Sequence, residues 1–284
     1  MFGSVVGDIV GSIYEWNNIK TKNFLLFGKG CHFTDETVAT FAVASGLLRW
    51  RLGKNRYLLE DKSKENLKTY VTEELQRLGR LYPSVDYAGM FQRWLQQKTP
   101  MPYRSRGNGA AMRVAPLAYA AESLLEAEEL AKESAEITHN HYESIKGAVA
   151  VAGCIYLSIN GALKEEIKAY GEKFYNLNFT LDEIRSGYSY NSTAEGSIPY
   201  AIVAFLEGKS FEDSLRKAIS IGGDSDTIAS ITCAIAEGYY GIPEIIKRRA
   251  MVYLKGTEFP ELYYSFMMTF QEEKRSKRLQ NKYN

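Results

Sequence analysis

Excess charge of either sign is missing from this sequence: 35 Lys and Arg face 34 Asp and Glu, for a net charge of +1. Binding along nucleic-acid phosphates draws on clustered positive charge. No broad nucleic-acid surface is therefore expected, and neither is a polybasic membrane patch or an acidic tail. Cysteine is nearly absent. Cys31, Cys154 and Cys233 are odd in number and far apart, with no Cys-x-x-Cys spacing, which argues against a disulfide framework or a zinc site and suits a reducing cytoplasm. Long apolar runs are missing as well. The longest, Ala148 to Leu157, is about half the ~20 residues a spanning helix needs. No basic stretch precedes Asp8 as a signal peptide would require, so a cytoplasmic protein without membrane contact is expected. Period-two alternation is scarce, and the short segment Lys22–Phe27 is the best strand candidate. Without a Pro/Ser-rich linker or an internal repeat, residues 1–284 are expected to form one domain.

Helical periodicity is what the chain has in quantity. Val38, Phe41, Ala42, Ser45 and Leu48 share one face, as do Leu67, Tyr70, Val71, Leu75 and Leu78, and Met90, Phe91, Trp94 and Leu95 make a third stripe. Ala121–Thr138 is rich in strong helix formers. Ile145–Ile159 is apolar nearly all round and reads as a buried central helix. Further helices are expected over Ser197–Leu206, Phe211–Ser220, Asp226–Tyr239, Pro243–Leu254 and Pro260–Lys277, with Ser210 as an N-cap. The fold expected is an all-α single-domain bundle whose charged end, about residues 273–284 with the run Glu272–Lys282, is a solvated helix face.

Four stretches break the amphipathic pattern with acids, glycines and small polar residues. In Gly7–Glu15, a helical reading puts Asp8, Gly11, Ser12 and Glu15 on one small, acidic face. Phe33-Thr34-Asp35-Glu36-Thr37 precedes one helix, and Gly222-Gly223-Asp224-Ser225-Asp226-Thr227 precedes another. Each places two acids and a threonine at a helix N-terminus, where capping alone favours Asp and Thr. Both carry more acid than a cap requires, and neither has the Glu or Gln of a capping box at Thr37 or Thr227. As a pair, with Glu15 as a further acid, they suit hard divalent cations such as Mg2+ or Mn2+, which take oxygen ligands. The fourth stretch, Ser105-Arg106-Gly107-Asn108-Gly109-Ala110-Ala111-Met112-Arg113, is a plain loop or a phosphate-facing turn. It fits neither the Walker nor the dinucleotide glycine pattern.

With these stretches in this order, the chain resembles the ADP-ribosylglycohydrolase family, which includes the dinitrogenase reductase-activating glycohydrolase. The resemblance covers most of the chain, and its most specific marks are Phe33–Thr37 paired with Gly222–Thr227. It implies a compact all-α protein with two divalent cations, Mg2+ or Mn2+, in a cleft that hydrolyses N- or O-glycosidic bonds of ADP-ribose. It implies metal ligation by Thr34, Asp35, Glu36, Asp224, Asp226 and Thr227. Glu15 matches a catalytic or metal-gating glutamate. The turn Ser105, Arg106, Gly107, Asn108 and Gly109 would grip the distal ribose and diphosphate, His139 would face the phosphates, and Ser197 would lie along the adenosine side. The partner implied is the ADP-ribose moiety of a modified protein or small conjugate.

Two positions depart from the family pattern: Glu36 stands where Asp is usual, and Arg106 where some relatives carry an aromatic stacked on adenine. A guanidinium can stack on a base or bind diphosphate, and the Tyr188/Tyr190 pair offers further stacking. Glu15 or Asp35 is expected to deprotonate or steer the attacking water. Two rivals remain open at this point. Asp224-Ser225-Asp226-Thr227 superficially resembles a metal-dependent phosphatase signature, although Ile228 stands where that signature has Thr or Val. A catalytically silent ADP-ribose-binding protein is the other.

Overall fold

A computed structural model describes residues 1–54 and 66–270. In chain order the helices are α1 (Phe2–Gly11), α2 (Asp35–Lys54), α3 (Leu67–Leu81), α4 (Gly89–Leu95), α5 (Ala115–Ala120), α6 (Leu124–Glu136), α7 (Tyr142–Ile159), α8 (Lys164–Gly171), α9 (Leu181–Ile184), α10 (Ala194–Glu207), α11 (Phe211–Ser220), α12 (Ser225–Tyr240), α13 (Glu244–Tyr253) and α14 (259–270). One 3-10 turn covers Asn108–Ala110. Among the described residues there is no strand, only an isolated bridge between Gly107 and Thr193, and the fold is all-α.

Local chemistry sets many of the helix starts. Ser123, Thr180, Thr193 and Ser210 each accept a hydrogen bond from a backbone N–H of the helix that follows, as N-caps do. His141 does the same for α7 through its ring. Ser123 also corrects the expectation of one helix over Ala121–Thr138. Ala121 is extended, Ser123 takes the Glu126 N–H, and the helix begins only at Leu124. The strand expected over Lys22–Phe27 is likewise a loop: it has no partner strand among the described residues. Arg216 instead satisfies the carbonyls of Lys22 and Phe24, and Phe27 turns into the left-handed region at φ 57°. Of the helix expected over Pro260–Lys277, 259–270 is seen; the remainder and the run Glu272–Lys282 lie outside the described residues.

Two helices organise the interior. α7 packs on α5, α6, α10 and α12, while α12 packs on α1, α10 and α11. The closest of these packings lays α1 on α12. A Cβ placed on Gly3, Gly7 or Gly11 would stand 2.2–2.5 Å from backbone atoms of Cys233, Ala229 and Asp226. One turn-spaced glycine stripe therefore lets α1 lie on the α12 backbone. Every residue of α1 is buried, and the three cysteines are buried and unpaired. No helix of the described residues is long and apolar enough to cross a membrane.

Candidate active site

The acids meet where α1, α2 and α12 converge. Asp8 lies inside α1 and reaches across to the start of α2. It accepts from the backbone N–H of Thr34 at 3.0 Å and of Thr37 at 3.1 Å, and from both threonine hydroxyls. It thus caps α2 from another helix. Glu36 turns inward from the first turn of α2 and accepts from the hydroxyls of Thr34 and Thr227. Thr34 has one hydroxyl proton for two carboxylate neighbours, Asp8 and Glu36, so this corner holds more acceptors than donors.

The loop before α12 brings the remaining acids. Gly222 and Gly223 sit at φ 68° and 79°, a conformation side chains resist. Asn18 pins the turn by accepting from the Gly223 N–H at 2.6 Å and donating to its carbonyl at 3.0 Å. Two overlapping groups of acids result. Oxygens of Asp8, Glu36 and Asp226 lie within 4.8 Å of one another, as do those of Glu15, Asp224 and Asp226. Asp226 belongs to both. Burial raises the pKa of every one of these carboxyls, and mutual repulsion adds to the effect at Glu15, Glu36 and Asp226. Glu15 is pushed up to about 7 by burial, then by Asp224 and Asp86. Asp35 is pushed to about 8 by burial, then by Asp8 and Asp224.

The Gly107–Gly109 turn forms the facing wall. The Asn108 N–H donates to the Ser192 carbonyl at 2.9 Å, and the Ala194 N–H donates to the Arg106 carbonyl at 2.9 Å. Asn108 Nδ2 then reaches Asp224 Oδ2 at 2.7 Å and Ser197 Oγ at 3.1 Å, joining this wall to the acids. His139 lies beside the turn. A Cβ on Gly109 would be 3.1 Å from its Nε2, so the missing side chain leaves that nitrogen uncovered. Between the walls is a cleft of about 740 Å3.

Of the residues expected in the site, Glu15, Asp35, Glu36, Asp224, Asp226, Thr227, Ser105, Arg106, Gly107, Asn108, Gly109 and His139 line this cleft. Thr34 and Ser197 are buried behind the lining, Thr34 under Glu36 and Ser197 under Asn108. Glu15 lies past the end of α1, not on its face. Arg106 is paired with Glu195. Tyr190 lines the cleft and stacks on Trp16, whereas Tyr188 donates to the Gly196 carbonyl at 2.6 Å. Sequence reading sets Asp8 on the acidic face of Gly7–Glu15 and Arg113 at the end of the glycine-turn stretch without giving either a role, and it gives Trp16 none; the nearness of Trp16 to Glu15 is an available signal.

These contacts frame the comparisons with known proteins. Human ADP-ribosylhydrolase ARH3 is 24% identical over 316 residues, covering 86% of this chain and 85% of its own. An uncharacterized protein of Archaeoglobus fulgidus is 37% identical over 174 residues, covering 54% of this chain and 55% of its own. A solved structure titled "ADP-ribosylglycohydrolase-related protein complex" shares the fold at TM-score 0.62 and 24% identity, covering 89% of this chain and 94% of its own. The ADP-ribosylglycohydrolase family profile matches residues 1–274, and the chain belongs to that family of hydrolases.

Proposed function

We propose that the cleft hydrolyses the glycosidic bond between ADP-ribose and an acceptor, a protein side chain or a related small conjugate, with two divalent cations, Mg2+ or Mn2+, at its acidic wall. The observation that carries this reading is the pair of all-oxygen acid groups sharing Asp226. Buried carboxylates this close need a countercharge, and a donor set without nitrogen or sulfur suits hard cations. Glu36, Asp224 and Asp226, with Asp35 and the hydroxyls of Thr34 and Thr227, would hold them. Asp8 is already engaged by four hydrogen bonds and supports α2. Glu36 keeps the charge of the usual Asp, and its longer arm is steadied by two threonine hydroxyls.

When bound, the cations supply Lewis acidity and a hold on ribose hydroxyls beside the scissile bond. The chain supplies the proton handling. Cleavage breaks the bond from the anomeric carbon to the acceptor through an oxocarbenium-like state. The acceptor leaves with the bonding pair and takes up a proton, and water adds to the anomeric carbon. Glu15 lines the cleft beside Asp224 and Asp226 and is the carboxylate suited to take the proton of that water. Asp35 is the other lining acid able to steer it. The Gly107–Gly109 turn and His139 receive the diphosphate end.

The test is a panel of ADP-ribosyl-arginine, -serine, -nucleobase and ester conjugates with Mg2+ or Mn2+, read as released ADP-ribose by mass spectrometry. Release should vanish with chelator and in Asp226→Asn; full release under both conditions sinks the reading. Phosphate as the sole product would favour the phosphatase alternative, which has against it that helix α11, not a strand, leads into Asp224. Binding of ADP-ribose with no release from any conjugate would favour the silent binder.

A further inference from the structure

Arg113 is 1% exposed, and no carboxylate among the described residues pairs with it. One of its terminal nitrogens, Nη2, donates to the Ser134 carbonyl at 2.8 Å and to Thr138 Oγ1 at 2.9 Å, while its Nε has no partner. A buried, unpaired guanidinium is costly, so what it touches matters. Thr138 Oγ1 lies 2.6 Å from His139 Nδ1. A guanidinium only donates, so Thr138 accepts from Arg113 and keeps its own proton to give. A separation of 2.6 Å suits a hydroxyl donor better than a ring N–H donor, whose range is about 2.7–3.2 Å. The Tyr103 ring packs against the His139 ring, with centroids 5.4 Å apart.

If Nδ1 accepts, the ring proton of His139 sits on Nε2. That atom has no hydrogen bond to any described residue, and His139 lines the cleft beside Gly107 and Gly109. The neighbouring charge also opposes a second proton: burial, then Arg113, holds the His139 pKa down to about 3. The other cation lining the cleft, Arg106, is engaged by Glu195.

We infer that Arg113 and Thr138 are positioning residues that lock His139 as the neutral tautomer protonated on Nε2, so that it offers one fixed N–H to a diphosphate oxygen of ADP-ribose. The identity of that oxygen rests on the proposed function; the tautomer does not. The experiment records the nitrogen NMR of the full chain labelled in histidine, at neutral pH and without ligand. The chain has three histidines, His32, His139 and His141, and His139→Asn assigns the signal. The expected spectrum shows Nδ1 unprotonated and Nε2 protonated, unchanged in Thr138→Ser and Tyr103→Phe and shifted toward the other tautomer in Thr138→Val and Arg113→Met. Calorimetry with ADP-ribose should show a roughly tenfold weaker Kd for Thr138→Val, the scale of a lost hydrogen bond to a charged group, and near wild-type binding for Thr138→Ser. A wild-type ring protonated on Nδ1, or an unchanged spectrum in Thr138→Val, overturns the lock. A shifted tautomer with undiminished ADP-ribose affinity overturns the donor role. The expected wild-type spectrum with no ADP-ribose binding upholds the lock and overturns the proposed function instead.

Discussion

Neutralising Asp226 should stabilise the protein without metal and destabilise it with metal. Asp226 is the acid common to both groups, with neighbouring carboxylate oxygens within 4.8 Å. At an effective dielectric of about 20, two unit charges that far apart repel by about 3 kcal/mol. Protonation of neighbours already relieves part of this, so Asp226→Asn should gain roughly 1–3 kcal/mol in chelator. The asparagine oxygen can keep the 2.9 Å bond that Asp226 Oδ1 accepts from the Thr227 N–H. For a chain of this length that is a rise in Tm of roughly 2–10 °C. In excess Mg2+ or Mn2+ the order should invert, because wild type gains about 2.7 kcal/mol for each of two cations at a hundredfold excess over Kd and the variant, substituted at the acid common to both groups, loses that gain. Thermal unfolding of both proteins, in chelator and in each metal, is the assay. A variant less stable than wild type in chelator, or stabilised equally by metal, would refute the electrostatic account of the cluster.

Gly7→Ala should cost at least about 2 kcal/mol, the upper part of the overpacking range. Its Cβ would meet the Ala229 carbonyl oxygen at 2.2 Å, whereas Gly187→Ala meets nothing within 4 Å and should be near neutral by urea denaturation. In chelator, wild type should lose stability relative to Asp35→Asn as pH rises. The carboxyl is protonated in the folded state up to about pH 8 but only to 3.8 when unfolded, so the folded state's proton advantage disappears across that window. Denaturation at several pH values should show the gap widening to about pH 8 and then levelling, and metal should remove the slope. Trp16 is 69% exposed, stacked on Tyr190 and part of the cleft lining. ADP-ribose should therefore change tryptophan fluorescence in wild type, and Trp16→Phe should abolish most of that change.

Helices whose limits are local chemistry were legible in the sequence. Phe211–Ser220 begins and ends where Ser210 and the apolar spacing place it. The acids of Phe33–Thr37 and Gly222–Thr227 stood out because they exceed what a cap needs, and the structure brings them together. Asp8 was less legible because its task is tertiary: it serves backbone N–H groups 26 and 29 residues ahead, and no pattern at that range announces it. Gly3, Gly7 and Gly11 recur every four residues, yet such spacing acquires meaning only when a second backbone is known to approach. Only the family resemblance points Ser197 toward the adenosine side, and its hydroxyl accepts from Asn108 and donates to the Thr193 carbonyl.

The glycine stripe of α1 also sets a timetable for synthesis. About 220 residues separate α1 from the part of α12 it covers. At translation rates of about 5–20 residues per second, the first helix waits roughly 10–45 s for its partner to be made. During that interval Asp8, the cap of α2, has no finished helix pair to hold it in place. Both acid groups of the wall, which need Asp226, therefore assemble only after the start of α12 has been made. A ribosome-bound chain arrested before Asp224 should lack the site altogether, however much of α6 and α7 has already formed.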